Sequence, residues 1–281
     1  MKLAIIGAGC VGKAVAQATE KRYCTVSVFD KNPQLTRNMG TFAEAEICFV
    51  CVPTPSSPHC DVSNVVESAQ MLDKMKFKGV VVVKSTVIPG TMARLAKQYP
   101  KLRFVHNPEF LTEKNALADF VCQKAVLLSG KPADTVEVDK FYANVMSVKD
   151  SYISTEFEVT EWAKYLHNCA LAVKISFLNE VHEAVGDQSI FDRAVQFAMP
   201  FGNLGPNSKV PGPDGKLGFA GACFIKDTLA LRMLMKNGST LQGAINTNNR
   251  IRPTAYDGTE RTGLENETHL EERSRRHNYL S

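Results

Sequence analysis

Nothing in the 281 residues approaches the ~20 consecutive apolar positions a helix needs to cross a bilayer, so no membrane partner is expected. Charge of one sign is scarce as well. Thirty-three Lys and Arg against 29 Asp and Glu leave +4, too little for the basic stripe of a nucleic-acid binder, yet no obstacle to a phosphorylated substrate. Zinc-type cysteine spacing is missing. The eight cysteines are Cys10, Cys24, Cys48, Cys51, Cys60, Cys122, Cys169 and Cys223, with no CxxC followed by a second one, so no metal site is expected. A chain of this length with 44% hydrophobic residues builds a core without disulfide staples, and most of these thiols read as small buried hydrophobes. No internal repeat is present. The opening MKLAIIGAGCVGKAVA is apolar but broken by glycines, which reads as a strand and turn rather than a signal peptide, and implies a cytoplasmic protein.

What the chain does have is alternation. LAIIG at 3–7, TVSVFD at 25–30, ICFVCV at 47–52, VVVVKS at 80–85, LRFVHN at 102–107 and AVLLSG at 125–130 read as strands, with DSYIS at 150–154 as a short seventh. They are β-branched, apolar on both faces, and spaced by stretches able to carry crossover helices, which predicts a parallel sheet covered on both sides. From Glu156 to about Gly186 the period becomes helical, with Trp162, Leu166, Ala170, Val173, Phe177, Val181 and Val185 at three- and four-residue steps. A helix of ~30 residues spans ~45 Å, long enough for a spine between domains or a dimer seam. The next feature is a Gly/Pro-rich stretch, PFGNLGPNSKVPGPDGKLGFAGACF, read as a functional loop, followed by a helix at about 226–236. The expected division is a parallel α/β domain at 1–155, a helical central domain at 156–250 and a polar, mobile tail at 251–281.

GAGCVG sets Gly7, Gly9 and Gly12, with Cys10 and Val11 between them, directly after the first strand and at the head of a helix. Such glycines allow a tight turn and a close approach of backbone amides to a pyrophosphate. Asp30 closes the second strand 23 residues after Gly7, where a carboxylate accepts hydrogen bonds from a ribose diol and repels a 2′-phosphate. NAD is therefore favoured over NADP, with neighbouring Lys31 working against the discrimination, and residues 1–155 read as a Rossmann NAD-binding domain; a flavin site or a sterically required turn is the alternative. CVPTP, carrying Pro53 and Thr54, and KST, carrying Thr86, end the third and fourth strands, where ligands of open α/β sheets bind.

GAGCVG, CVPTP with DVS at 61–63, KSTVIPGT, NPEFLTE, EWAKYLHN, KISFLNE and GFAGACFIKD occur in one order from Met1 to about Leu231. In these motifs the chain resembles the UDP-glucose/GDP-mannose dehydrogenase family, whose pattern GFGGxCFPKD surrounds a catalytic cysteine. The resemblance implies an enzyme that takes the primary alcohol of a nucleotide sugar to a carboxylate, UDP-glucose to UDP-glucuronate foremost, with two NAD per turnover. It assigns Cys223 as the thiol that carries the second oxidation through a thiohemiacetal and a thioester, with Lys226 close behind to favour the thiolate. Lys164 and Asn168 lie one helical turn apart and would stabilise the developing oxyanion, with Glu161 on the same polar stripe. Asp227 and Thr86 are assigned to the hydrolytic water, Glu113 to substrate or water, and Glu109 to a more structural role beside the substrate. Phe110, Leu111, Gly218 and Phe219 complete the substrate contacts.

Four positions depart from the family pattern: Thr112 replaces a basic residue, Ile225 a proline, Ala220 a glycine, and Asn203 stands where an arginine is usual. No further βαβ pattern follows Cys223, so the usual C-terminal nucleotide-binding domain is not expected here. The long helix points to a homodimer centred on Trp162–Val185. Two rival readings remain at this point: a two-electron hydroxyacid dehydrogenase, which needs no Cys223, and a catalytically silent NAD-binding protein.

Overall fold

The structure, a computed structural model, describes residues 1–55, 60–202, 204–205, 208–253 and 255. All seven expected strands form: β1 (Lys2–Ile6), β2 (Thr25–Phe29), β3 (Ile47–Val50), β4 (Val80–Val83), β5 (Arg103–His106), β6 (Ala125–Gly130) and β7 (Asp150–Ser154). They make one sheet in the order β2-β1-β3-β4-β5-β6-β7. Every residue of β3 and β4 is buried, as befits strands covered on both faces.

One expectation about the sheet fails. β6 runs antiparallel to β5, through Val105↔Gly130 and His106↔Ser129 only, while β6 and β7 are parallel to each other. Between β5 and β6 the chain forms a 3-10 turn, Glu113–Asn115, and a short helix, α4 (Ala116–Val121). The link from β2 to β3 likewise carries two 3-10 turns, Pro33–Leu35 and Met39–Glu44, and no α-helix. The other helices of this region are α1 (Cys10–Glu20), α2 (Ser63–Lys74), α3 (Thr91–Gln98) and α5 (Pro132–Asn144). Successive strands part company between β1 and β3, because β2 lies on the far side of β1. Such a switch point leaves a crevice at the strands' C-terminal ends, the usual ligand site of these sheets.

The spine helix is α6 (Phe157–Val185), 29 residues long, followed by α7 (Gln188–Ala198), α8 (Ala222–Leu234) and α9 (Ser239–Ile251). α8 begins four residues before the expected 226. The residues group into two compact units: Met1–His167 with Leu229–Leu234, and Asn168–Thr228 with the described residues from Met235 on. In the second unit Leu178, Phe191 and Val210 form a small core flanked by Val181, Val185, Val195, Leu204 and Leu217.

The expected apolar stripe of α6 is divided: Trp162 is 40%, Leu166 66% and Phe177 58% exposed, while Val181 and Val185 pack on that small core. The buried residues include polar ones, among them Glu161, Lys164, Asn168, Ser176 and Asn179. Among the described residues no helix is long and apolar enough to cross a membrane. Asn203 and residues 256–281, most of the expected tail, lie outside the described residues.

Candidate active site

In the first unit, β1 runs straight into the glycine turn. Gly7 has φ +94°, and a Cβ there would come within 2.7 Å of the Cys51 carbonyl oxygen at the end of β3. Gly12, in the first turn of α1, packs so closely on the turn that a Cβ would sit 1.9 Å from the Gly7 carbonyl oxygen. Gly9 differs: a Cβ would meet nothing within 4 Å, and as N-cap of α1 it makes no side-chain cap bond. An uncapped helix N-terminus with open space before it suits a pyrophosphate. Cys10 is exposed, its Sγ 3.7 Å from the Glu113 carbonyl, and Val11 rests on the sheet's core.

Asp30 ties β2 to this turn, its carboxylate accepting hydrogen bonds from the amides of Ala8 at 2.7 Å and Asn32 at 2.8 Å. Lys31 turns to α2 instead, 2.8 Å from Glu67 and donating to Asn64 Oδ1 at 2.8 Å, so its charge has a local counterpart and weighs less against NAD discrimination than its position suggests. Asn64 in turn donates to the Pro53 carbonyl at 2.9 Å. Thr54 Oγ1 donates to the Thr86 carbonyl at 2.7 Å and Ser85 Oγ to that of Val52 at 2.7 Å, stitching the ends of β3 and β4 into a rigid rim. Turn, open N-terminus and carboxylate together fit a dinucleotide.

Beyond the rim, Lys84 follows four buried valines and is itself buried. Its Nζ lies 2.8 Å from Glu109 Oε2 and donates to Asn107 Oδ1 at 2.8 Å and Tyr142 Oη at 3.3 Å. Burial alone would push Lys84 toward neutrality, but the Glu109 carboxylate and the Tyr142 phenol outweigh it and hold the ammonium above its ordinary range. Burial also pushes Tyr142 up to about 12. Glu109 Oε1 accepts from the Phe110 amide at 2.8 Å, and the Glu109 carbonyl accepts from Lys164 Nζ. That ammonium lies over the Phe110 ring, 4.8 Å from its centroid, within cation–π range. Leu111 rests against the core, and Glu113 opens an exposed 3-10 turn. Thr112 donates to Asp119 through its amide at 2.9 Å.

Glu161 does not share an open polar stripe with Lys164. It is fully buried and accepts the amides of Gly90 at 2.7 Å and Met92 at 2.8 Å, capping the N-terminus of α3. Burial raises its carboxyl pKa, with the two amides opposing.

In the second unit, Cys223 is exposed in the first turn of α8. One turn on, Asp227 is 1% exposed. Its carboxylate accepts from Asn168 Nδ2 at 2.6 Å and pairs with Lys226 Nζ, the cation expected to favour the Cys223 thiolate. Cys169 Sγ donates to the Asp227 carbonyl at 3.5 Å. The segment leading to the thiol is held from two helices: the Gly218 amide donates to Asn179 Oδ1 at 3.0 Å, and Asn248 clamps Phe219, accepting from its amide at 2.7 Å and donating to its carbonyl at 2.8 Å. Sequence reading gave no role to Lys84, Asn107, Tyr142, Asn179 or Asn248, although Lys84 follows an all-valine strand and Lys84, Asn107 and Asn179 lie within KSTVIPGT, NPEFLTE and KISFLNE. All eight cysteines are free, and among the described residues no three His, Cys, Asp or Glu side chains group to hold a metal ion.

Comparison with known proteins gives the family. Residues 34–146 match the NAD binding domain of the UDP-glucose/GDP-mannose dehydrogenase family, and residues 158–250 match its central domain. A UDP-glucose 6-dehydrogenase of Rickettsia felis is 31% identical over 204 residues, covering 69% of this chain and 44% of that protein, so the chain spans less than half of that relative's length. Two solved structures share the fold. A UDP-glucose dehydrogenase of Pyrobaculum islandicum aligns with TM-score 0.77 and 24% identity over 89% of this chain and 68% of its own. A 3-hydroxyisobutyrate dehydrogenase of Mycobacterium tuberculosis aligns with TM-score 0.70 and 18% identity over 94% and 96%. With both domain matches and the glycine turn in place, the chain belongs to the UDP-glucose/GDP-mannose dehydrogenase family and carries its NAD binding and central domains.

Proposed function

We propose that the chain, as an NAD-binding domain at 1–155 and a central domain at 156–250, oxidises the primary alcohol of a nucleotide sugar, UDP-glucose foremost, to a carboxylate. The observation that carries this reading is Cys223 exposed on the first turn of α8, with Asp227 one turn behind it held by Asn168. NAD, when bound, supplies the hydride acceptor for both oxidations. The Cys223 thiolate adds to the aldehyde carbon and forms a C–S bond, giving a thiohemiacetal. Loss of hydride from that carbon leaves a thioester, and water cleaves the C–S bond to release the carboxylate and the thiol. Lys164 and Asn168 stabilise charge on the substrate oxygen. Asp227 and Thr86 serve the water, while Glu109, Glu113, Phe110, Leu111, Gly218 and Phe219 are assigned to substrate.

The protein is further proposed to be a homodimer, because α6 leaves Trp162, Leu166 and Phe177 in solvent in the single chain and a second copy of the same helix would cover them. A panel of nucleotide sugars, each incubated with NAD and the protein and analysed for product by mass spectrometry, tests the activity. A uronate from one of them is expected. Absence of any oxidised sugar, with NAD binding intact, points instead to the silent NAD-binding reading.

A further inference from the structure

A charged side chain as deep as Lys84 requires a reason. Its side chain is 1% exposed, directly after four buried valines, and burying a charge costs several kcal/mol before partners offset it. A residue that only filled space here would be apolar. The partners of this ammonium converge on one short segment: Asn107 Oδ1 and Glu109 Oε2, each at 2.8 Å. Tyr142 backs the arrangement, donating to Asn107 Oδ1 at 2.5 Å, and the rings of Phe120 and Tyr142 lie 5.6 and 5.9 Å from the ammonium. The same segment forms the seat of the second buried ammonium. The Glu109 carbonyl accepts from Lys164 Nζ, the Phe110 ring lies beneath it, and the Phe110 amide is pinned by Glu109 Oε1. Glu109 is thus the shared link, its carboxylate toward Lys84 and its carbonyl toward Lys164.

We propose that Lys84 is a positioning residue: through its ion pair with Glu109 it fixes the 107–110 segment and so sets where the Lys164 ammonium is held. The role rests on the assignment of Lys164 to oxyanion stabilisation. Loss of the cation in K84M leaves the Glu109 carboxylate without its partner, and the carbonyl and ring that seat Lys164 shift with it. K84R keeps a cation and restores most of the seat. E109Q keeps the side chain's shape but breaks the ion pair, and probes the same link while Lys84 stays in place.

Two readouts test this in the whole protein. The first needs no turnover: limiting acetic anhydride, with peptide mass spectrometry, reports the acylation rate of Lys164 against exposed Lys78 as internal control. In K84M and in E109Q the Lys164 rate should rise about tenfold as local opening becomes easier, with K84R close to wild type. The second is kinetic: kcat for the nucleotide sugar should fall about a hundredfold in K84M, as expected for a misplaced catalytic group, with KM little changed. K84M/E109Q should be no worse than K84M alone, because the two act through one contact. Wild-type Lys164 acylation in both K84M and E109Q overturns the proposal. If K84M does not fold, unchanged acylation and kcat in E109Q overturn it alone. A wild-type protein that oxidises no nucleotide sugar refutes the functional reading, while the acylation result still decides the role of Lys84.

Discussion

Gly12 and Gly7 meet so closely that a methyl group on the first would stand 1.9 Å from the carbonyl oxygen of the second. α1 can reach the turn only because Gly12 carries no side chain, and the turn can reach β3 only because Gly7 carries none, whereas Gly9 faces open space. The three positions therefore separate fold from ligand. Gly12→Ala forces backbone apart and should lower stability by about 3 kcal/mol, read as a drop in the urea midpoint. Gly9→Ala should fold with near-wild-type stability and lose NAD affinity measured by calorimetry, since its methyl group enters the space left for the pyrophosphate.

Asp30 is the second cofactor determinant. NAD should bind more tightly than NADP, and Asp30→Ala should weaken NAD about tenfold, the value of a hydrogen bond to a charged group, while leaving NADP little changed. Equal affinity of the wild-type protein for the two cofactors would show that the end of β2 does not read the ribose.

Burial, with the Lys84 charge adding to it, depresses the pKa of His106 to about 3. Its Nδ1 is 2.7 Å from Thr160 Oγ1, inside a network that ties β5 to the start of α6. A histidine held low in the folded state takes up its proton first in the unfolded chain, so its contribution to stability is present at neutral pH and is lost as pH falls from about 6.5 toward 3. At about pH 5 the loss should be about 2 kcal/mol. Urea unfolding of wild type and His106→Asn at pH 7 and pH 5 should show a smaller pH effect in the variant; an equal effect would place the pH sensitivity elsewhere.

Leu166 and Phe177, 66% and 58% exposed, contribute little to the single chain and should contribute much to a dimer. Wild type should scatter light as twice the chain mass of 30.9 kDa, and Leu166→Glu/Phe177→Glu should scatter as a monomer with an unchanged circular dichroism spectrum. A monomeric wild-type protein at micromolar concentration would contradict the dimer.

The sheet was legible because its strands are apolar on both faces, and β3 and β4 are indeed buried throughout. The direction of β6 was not, since alternation in a strand is the same whichever way it runs. Period alone also identified α6, yet it could not say that Trp162, Leu166 and Phe177 stay in solvent in the single chain while Lys164 and Asn168 are buried. α9 escaped notice because STLQGAINTNNRI holds three asparagines and a glycine, poor helix formers, and its Asn248 acts through a clamp on Phe219 that no spacing reveals. α7 carried a readable signal, Asp187 capping the Ile190 amide at 2.8 Å. Glu161 shows the limit of motif reading: spacing sets it one turn from Lys164, but its carboxylate is spent on the amides that open α3.

The central claim is a four-electron oxidation whose second half is carried by the Cys223 thiol, and the ratio of NADH to product measures it most directly. With wild-type protein and UDP-glucose, or whichever nucleotide sugar the panel selects, two NADH should form per uronate released. Cys223→Ala should bind NAD normally and release no uronate, because an aldehyde without the thiol offers no thiohemiacetal for the second hydride loss. Cys223→Ser should stall with substrate bound or at the aldehyde stage, an alkoxide being a poor leaving group in the hydrolytic step. One NADH per product, or undiminished uronate formation by Cys223→Ala, would contradict the account and favour a two-electron hydroxyacid dehydrogenase.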